Sequence, residues 1–236
     1  MIATLQIGDI DFEDYMAYVV PSNPFSRGKR ETEKVSVPGR NGDLVFDNKK
    51  YPNKDINYTV IIMDDFADNF DRLSNDLSAL VGYQRILDSI HPDEYRYGYV
   101  AGDLNPVTMP YFNTGRCVVT MNCKPQRYLI SGETTQVFMN DGTITNPTNY
   151  GSFPIIRVYG YGMLGVGSDF ITVMQNQFSF VEIDCETMDA TANGADANGY
   201  VDFVNNRQTV LESGANGITL DQNISKVEII PRWWRL

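Results

Sequence analysis

The segment GRCVVTMNCKPQRYL, residues 115–129, contains the point at which the chain changes character. Through Cys123 it alternates. Cys117, Val119, Met121 and Cys123 fall on one face of an extended strand, and Val118, Thr120 and Asn122 on the other, because successive strand side chains point to opposite sides. Pro125 has no N–H to give to a ladder and ends the strand. A thiol beside Lys124 and Arg127 admits a second reading, since nearby cations favour the thiolate and hence a reactive or anion-binding site. The alternation favours the first reading. Cys123 shares its face with Cys117, and small thiols on an apolar face are ordinary core fillers. The stretch therefore reads as a junction between a first domain over 1–130 and a second over 131–236. Lys124 and Arg127 are expected to meet acidic surface groups there.

Downstream of the junction, SGETTQVFMNDGTITNPTNYGSFP (131–154) is rich in Thr, Asn and Gly. The short runs IIRVYGYG, ITVM, QFSFVEID, YVDFV, GITL and KVEIIPRWW follow, separated by turn-rich loops such as TANGADANG (191–199). Short strands at this spacing, without helical period, predict a β-sandwich. Upstream, TLQIGDI, DINYTVIIM (55–63), QRILDS and YRYGYVAG also read as strands. SVPGRNGDLVF (36–46) holds Pro-Gly and Asn-Gly in one short stretch, which predicts a hairpin or wide loop with positive φ at both Asn and Gly.

One segment breaks the β pattern. In DDFADNFDRLSNDLSALVG (64–82), Phe66, Phe70, Leu73, Leu77 and Leu80 form one apolar stripe and predict a helix over about 65–81. Asp64 or Asp65 is placed to cap it, and Asp68 adds charge at the positive end of the helix dipole. Gly82 stands where a glycine would stop it. Such a stripe is a core face rather than a cofactor groove. The fold class is mainly β, with one helix in the first domain.

Composition narrows the function. The 236 residues carry a net charge of −11, which argues against a surface that grips nucleic acid, since that requires clustered cations. Three cysteines do not make a disulfide framework and point to a reducing compartment. The start, MIATLQIGDIDFEDY, lacks the pattern of an export signal, and no apolar run reaches the ~20 residues of a membrane helix. Synthesis and folding in a cytoplasm are expected.

No constellation for catalysis emerges. His91, the one histidine, precedes a proline in a turn-like segment and would have to serve any Ser-His or Cys-His mechanism alone. Cys117 and Cys123 lack zinc-ligand spacing. GYGMLGVG (160–167) is not followed by a helix that could offer its N-terminus to a phosphate, and reads as a hairpin or bulged loop. Glu182 and Asp184 lie on the solvent face of a strand whose other face carries Val181, Ile183 and Cys185. Asp196 lies in a loop of calcium-like composition that lacks EF-hand spacing. No catalytic, cofactor or metal residues are assigned. In PRWWRL, Trp233 and Trp234 must face opposite ways, so one of them lies at a surface or an interface. Trp and Arg are enriched at hot spots, so Trp234 and Arg235 are candidate partner contacts.

Taken in order, the N-terminal strand, VPGRNGDL, INYTVIIM, the amphipathic helix, ILDSIHPDEYRYGYV, CKPQRYL, NPTNYGSFPIIRVYGYG, FVEIDCETMDA and ISKVEIIPRWWRL resemble the distal tail protein family of long, non-contractile-tailed phages. The resemblance implies an N-terminal β-sandwich or tail-tube-like domain with one helix and a C-terminal galectin-like β-sandwich. It also implies a homo-hexameric ring at the virion tail tip, made in the bacterial host cytoplasm. The ring would lie between the tail tube protein and the tip, tail-associated lysin and receptor-binding proteins, with a DNA channel and no enzymatic role. Acidic groups lining that channel would keep DNA mobile. Arg40 and Asp43, on the VPGRNGDL hairpin, are the candidate subunit contact. The competing reading is a carbohydrate-binding sandwich that grips a host-wall glycan through Tyr159, Tyr161 or Trp234.

Overall fold

The computed structural model describes residues 3–20, 28–109 and 113–236. In chain order the first part contains β1 (Leu5–Ile7), β2 (Ile10–Asp11), β3 (Ala17–Val20), β4 (Thr32–Val35), β5 (Leu44–Asp47), β6 (Lys54–Ile62), α1 (Phe66–Ala79), β7 (Gln84–Asp88), β8 (Glu94–Val100), β9 (Val107–Met109) and β10 (Thr114–Cys123). The rest contains β11 (Arg127–Leu129), β12 (Gln136–Phe138), β13 (Gly142–Asn146), β14 (Ile155–Gly160), β15 (Gly162–Val166), β16 (Asp169–Val173), β17 (Val181–Asp184), β18 (Asp189–Ala192), β19 (Ala195–Asp196), β20 (Val201–Phe203), β21 (Gly214–Leu220), β22 (Ile224–Ile230) and β23 (Trp234–Arg235). Strand accounts for 49% of the described residues and helix for 12%, so the fold is mainly β. Contacts divide the chain into Met1–Arg127 with Leu236, and Tyr128–Arg235. No helix among the described residues is long and apolar enough to cross a membrane.

The first unit is built on β10, whose alternation decides which face is buried. Cys117, Val119, Met121 and Cys123 are 2, 0, 0 and 0% exposed, whereas Val118 on the other face is 42% exposed. β10 runs antiparallel to β6 from Gly115↔Ile62 to Cys123↔Lys54, in the antiparallel sheet order β2-β1-β7-β8-β10-β6-β3. Phe66, Leu73 and Leu77 of α1 pack into the same core as the β10 thiols, Val60, Ile62 and Ile86. Gly115 has no side chain because the Phe66 ring occupies its place: a Cβ there would lie 2.4 Å from that ring.

The helix ends differ from the capping expected. Asp65 is the N-cap, but it adopts φ 37° and makes no side-chain cap bond. Asp64 instead accepts the Asp65 N–H at 2.9 Å, and the buried Asn69 amide donates to the Asp64 carbonyl at 2.8 Å. The chain leaves the helix at Leu80 in extended conformation, so Gly82, at φ 74°, turns the loop beyond it.

The second unit is two antiparallel sheets, β12-β22-β14-β17-β18-β19 and β13-β21-β15-β16-β20. Ile156, Val158, Ile183 and Val227 from the first join Ile144, Leu164, Ile171 and Ile218 from the second in one core. GYGMLGVG forms the first arm of a hairpin, with a bulge where it begins, within the hairpin or bulged loop expected. It becomes strand β15, paired with β16 from Gly162↔Val173 to Val166↔Asp169. The bulge falls at Gly160, at φ 109°, where the β14–β22 register shifts and a Cβ would lie 2.1 Å from the Asn223 carbonyl oxygen. TANGADANG likewise forms a hairpin of β18 and β19, with Thr191 opposite Asp196.

Candidate assembly surfaces

The β4–β5 hairpin stands apart from the main sheet as a separate two-stranded ladder, with Val35 opposite Leu44 and Glu33 opposite Phe46. These four side chains share one face, by the strand period. Phe46 and Val35 are exposed on that face, and Val45 on the other. Pro38 and Gly39 make the expected turn: the Arg40 N–H donates to the Val37 carbonyl at 3.2 Å, with Gly39 at φ 79°. In Asn41-Gly42 only the glycine takes positive φ, because the wide loop over 36–43 does not need the paired left-handed residues of a two-residue turn. Polar contacts pin the base of the hairpin. Arg30 meets Asp47 at 2.9 Å and Lys50 meets Glu31 at 3.1 Å. The Asn48 amide, and then Lys50, hold the Glu31 carboxyl below the usual range. Arg40 and Asp43 are both exposed on the loop.

The C-terminal segment is organised by a residue that sequence reasoning passed over. Arg232 adopts φ 56° and donates its backbone N–H to the Gly132 carbonyl at 2.8 Å. Its guanidinium grips Asp184 with two bonds of 3.0 and 2.8 Å, and Nε donates to the Phe153 carbonyl at 2.6 Å. This kink sends Trp233 into the sandwich core and Trp234 to the other side. Trp234 is half-buried there, stacked on Tyr150 with ring centroids 4.6 Å apart, and Nε1 donates to the Gly151 carbonyl at 2.9 Å. Arg235 is exposed. The one available signal for Arg232 was its position between Pro231 and two tryptophans.

The groups that could have carried chemistry are held in structural contacts. Burial pushes the Cys117 and Cys123 thiols up to about 11 and the Cys185 thiol to about 12, so the thiolate is disfavoured at all three. Arg127 pairs with Glu94 at 3.0 Å and donates to the Leu236 carbonyl; Glu94 is buried, not a surface acid. Lys124 differs from the ion pair expected: its ammonium lies 5.1 Å from the centre of the Tyr83 ring and 5.9 Å from that of Tyr97. Asp88 Oδ1 accepts the His91 N–H at 2.9 Å and lies 3.0 Å from His91 Nδ1, which fixes the ring inside the β7–β8 turn. Glu182 and Asp184 each face an arginine, with Arg157 2.5 Å from Glu182. Lys226 covers the Tyr159 ring at 3.8 Å. Arg40 and Asp43 on the hairpin loop and Trp234 and Arg235 in β23 thus lie in separate elements, one pair in each unit.

No family model matches the chain, and no curated protein does. Among solved structures, the chain is similar over 100% of both chains to the Dit protein of phage SPP1, described as a paradigm of hub adsorption apparatus in phages infecting Gram-positive bacteria, with a TM-score of 0.76 and 16% identity. It is also similar to chains of the phage P2 baseplate in its activated conformation with Ca and with Sr, over 97% of both chains, with TM-scores of 0.52 and 0.51 and identities of 11 and 13%. These likenesses establish a shared fold across both units.

Proposed function

We propose that this chain is a structural hub of a phage or prophage tail tip. In this reading it forms a hexameric ring that joins the tail tube to tip, lysin and receptor-binding proteins and leaves a channel for DNA. The observation that carries the reading is the end-to-end likeness to the SPP1 Dit hub protein, which spans the helix-bearing unit and the sandwich together. The role is structural rather than catalytic, a reading supported by three buried, proton-holding thiols and by a histidine fixed in a turn. Within a ring, the exposed hairpin loop with Arg40 and Asp43 is the subunit contact, because identical subunits close a ring through unlike surfaces. Partner proteins dock on the second unit, with Arg235 at their interface and Trp234 holding the segment in place from its seat on Tyr150. An acidic chain offers DNA no clustered cations to adhere to, so DNA passes without specific binding.

Immunogold labelling of intact particles with antibody against this chain tests the location. Gold confined to the distal end of the tail is the expected result. Labelling of the head, or of host lysate proteins only, would contradict it.

A further inference from the structure

Four asparagines stand directly before a glycine: Asn41, Asn193, Asn198 and Asn216. An Asn-Gly pair carries a reaction of its own, because no side chain on the glycine shields its backbone nitrogen from the neighbouring amide. The reaction needs an amide and a stretch of backbone that are free to turn towards each other. The fold denies that freedom at three of the four pairs.

Asn216 is 3% exposed within β21. Its amide donates to the Glu212 and Gly214 carbonyls at 2.8 and 3.0 Å, and its oxygen accepts the Glu212 N–H at 2.9 Å. Gly217 is held in register with Thr143 of β13. Asn198 opens a 3-10 turn over Asn198–Tyr200, and its side-chain oxygen accepts the Ala190 N–H at 2.6 Å. Asn193 and Gly194 are the two residues of the β18–β19 turn, held at φ 52° and 78° by the Ala192↔Ala195 pair that closes it. Asn41 has none of these restraints. It is exposed on the wide loop over 36–43, past the Arg40–Val37 bond. Among the described residues nothing hydrogen-bonds its amide or the Gly42 N–H. Beyond its chain neighbours, no atom lies within 4 Å of where a Gly42 Cβ would stand.

We infer that Asn41 is a site of spontaneous deamidation in the unassembled chain. The Gly42 nitrogen, as it gives up its proton, bonds to Asn41 Cγ. The Cγ–Nδ2 bond breaks, and the amide nitrogen leaves with that proton as ammonia. Water then opens the five-membered imide at either of its carbonyls, breaking one C–N bond, and leaves aspartate or isoaspartate. Nothing is oxidised or reduced. The product places a new carboxylate between Arg40 and Asp43 in a chain of net charge −11, and the isoaspartyl form also lengthens the backbone by one carbon. Both changes fall in the loop assigned above to the subunit contact, where an added like charge beside Asp43 opposes association. The modified chain therefore assembles less firmly. That consequence rests on the ring reading; the chemistry at Asn41 does not.

Ageing the purified full chain in mildly alkaline buffer, followed by peptide mapping with fragment-ion mass spectrometry, tests the site. Acid should accumulate at Asn41 at least fivefold faster than at Asn193, Asn198 or Asn216, with isoaspartate among the products. Asn41→Gln should abolish it at that position, because a glutamine would have to close a larger ring. Equal rates at the four pairs, a faster rate at another, or no acid at Asn41 would overturn the inference. Mass photometry reads the consequence. Rings of the aged chain and of Asn41→Asp should come apart at concentrations at least threefold higher than rings of the fresh chain, and aged Asn41→Gln rings should match fresh ones. Aged rings as resistant to dilution as fresh ones would overturn the effect on the contact. A fresh chain that forms no rings would overturn the ring reading instead, and the peptide map still decides the site.

Discussion

Arg232 shows how one side chain can hold a terminus. Its fork reaches Asp184 and the Phe153 carbonyl at once, and a planar guanidinium makes these bonds where an ammonium cannot. Arg232→Ala should cost the second unit about 1.5–3 kcal/mol in urea unfolding, the range for hydrogen bonds to charged groups, and Arg232→Lys should restore less than half of it. A lysine variant as stable as the parent would show that the fork is dispensable. The thiols make a second prediction. Their folded-state values, about 11 to 12, stand above the ordinary 9.0, so the unfolded chain releases these protons first as pH rises. Their stabilising contribution is therefore complete below about pH 9 and declines towards pH 12, each proton contributing about 1.4 kcal/mol per pH unit at most. The variant with Cys117, Cys123 and Cys185 all changed to Ala should lose stability less steeply between pH 8.5 and 10.5 than the parent, by urea midpoint. Equal slopes would contradict the assignment. The burial of all three thiols was legible from alternation alone. Arg232 was not, because its role depends on a left-handed backbone and on Asp184, which is distant in sequence.

Among elements, those set by a strong local period were the most legible. The β10 alternation and the α1 stripe each depend on one repeating contact with a core, so the sequence pattern maps directly onto burial. The helix cap was less legible. Asp64, Asp65 and Asn69 share the task, and the choice among them is made by tertiary packing around Phe66. GYGMLGVG was legible as a hairpin or bulged loop, but which glycine serves which purpose was not, because Gly160 and Gly165 answer to neighbouring groups, the Asn223 carbonyl and Thr219. The hairpin supports a prediction of its own. Arg40 and Asp43 belong to neither hydrophobic core, so Arg40→Ala and Asp43→Ala should leave chain stability within about 0.5 kcal/mol. The same variants should make rings fall apart at lower dilution than the parent, read by mass photometry. Rings as resistant to dilution as the parent would remove the hairpin loop from the subunit contact.

For the whole molecule, two units of different design lie in one chain: a sheet with a helix on its core, and a sandwich of two antiparallel sheets. The contacts divide between Arg127 and Tyr128, a few residues past the end of β10, so the opening stretch contains a strand end with its thiols buried. What no single chain can display is the surface that other copies cover, which is why the assembly contacts were the least legible part of the sequence. The central claim is that this chain closes into a ring. Negative-stain electron microscopy of the purified chain at high concentration tests it most directly. Sixfold rings with an open centre are the predicted result, and particles that remain single 26.6 kDa chains would contradict it.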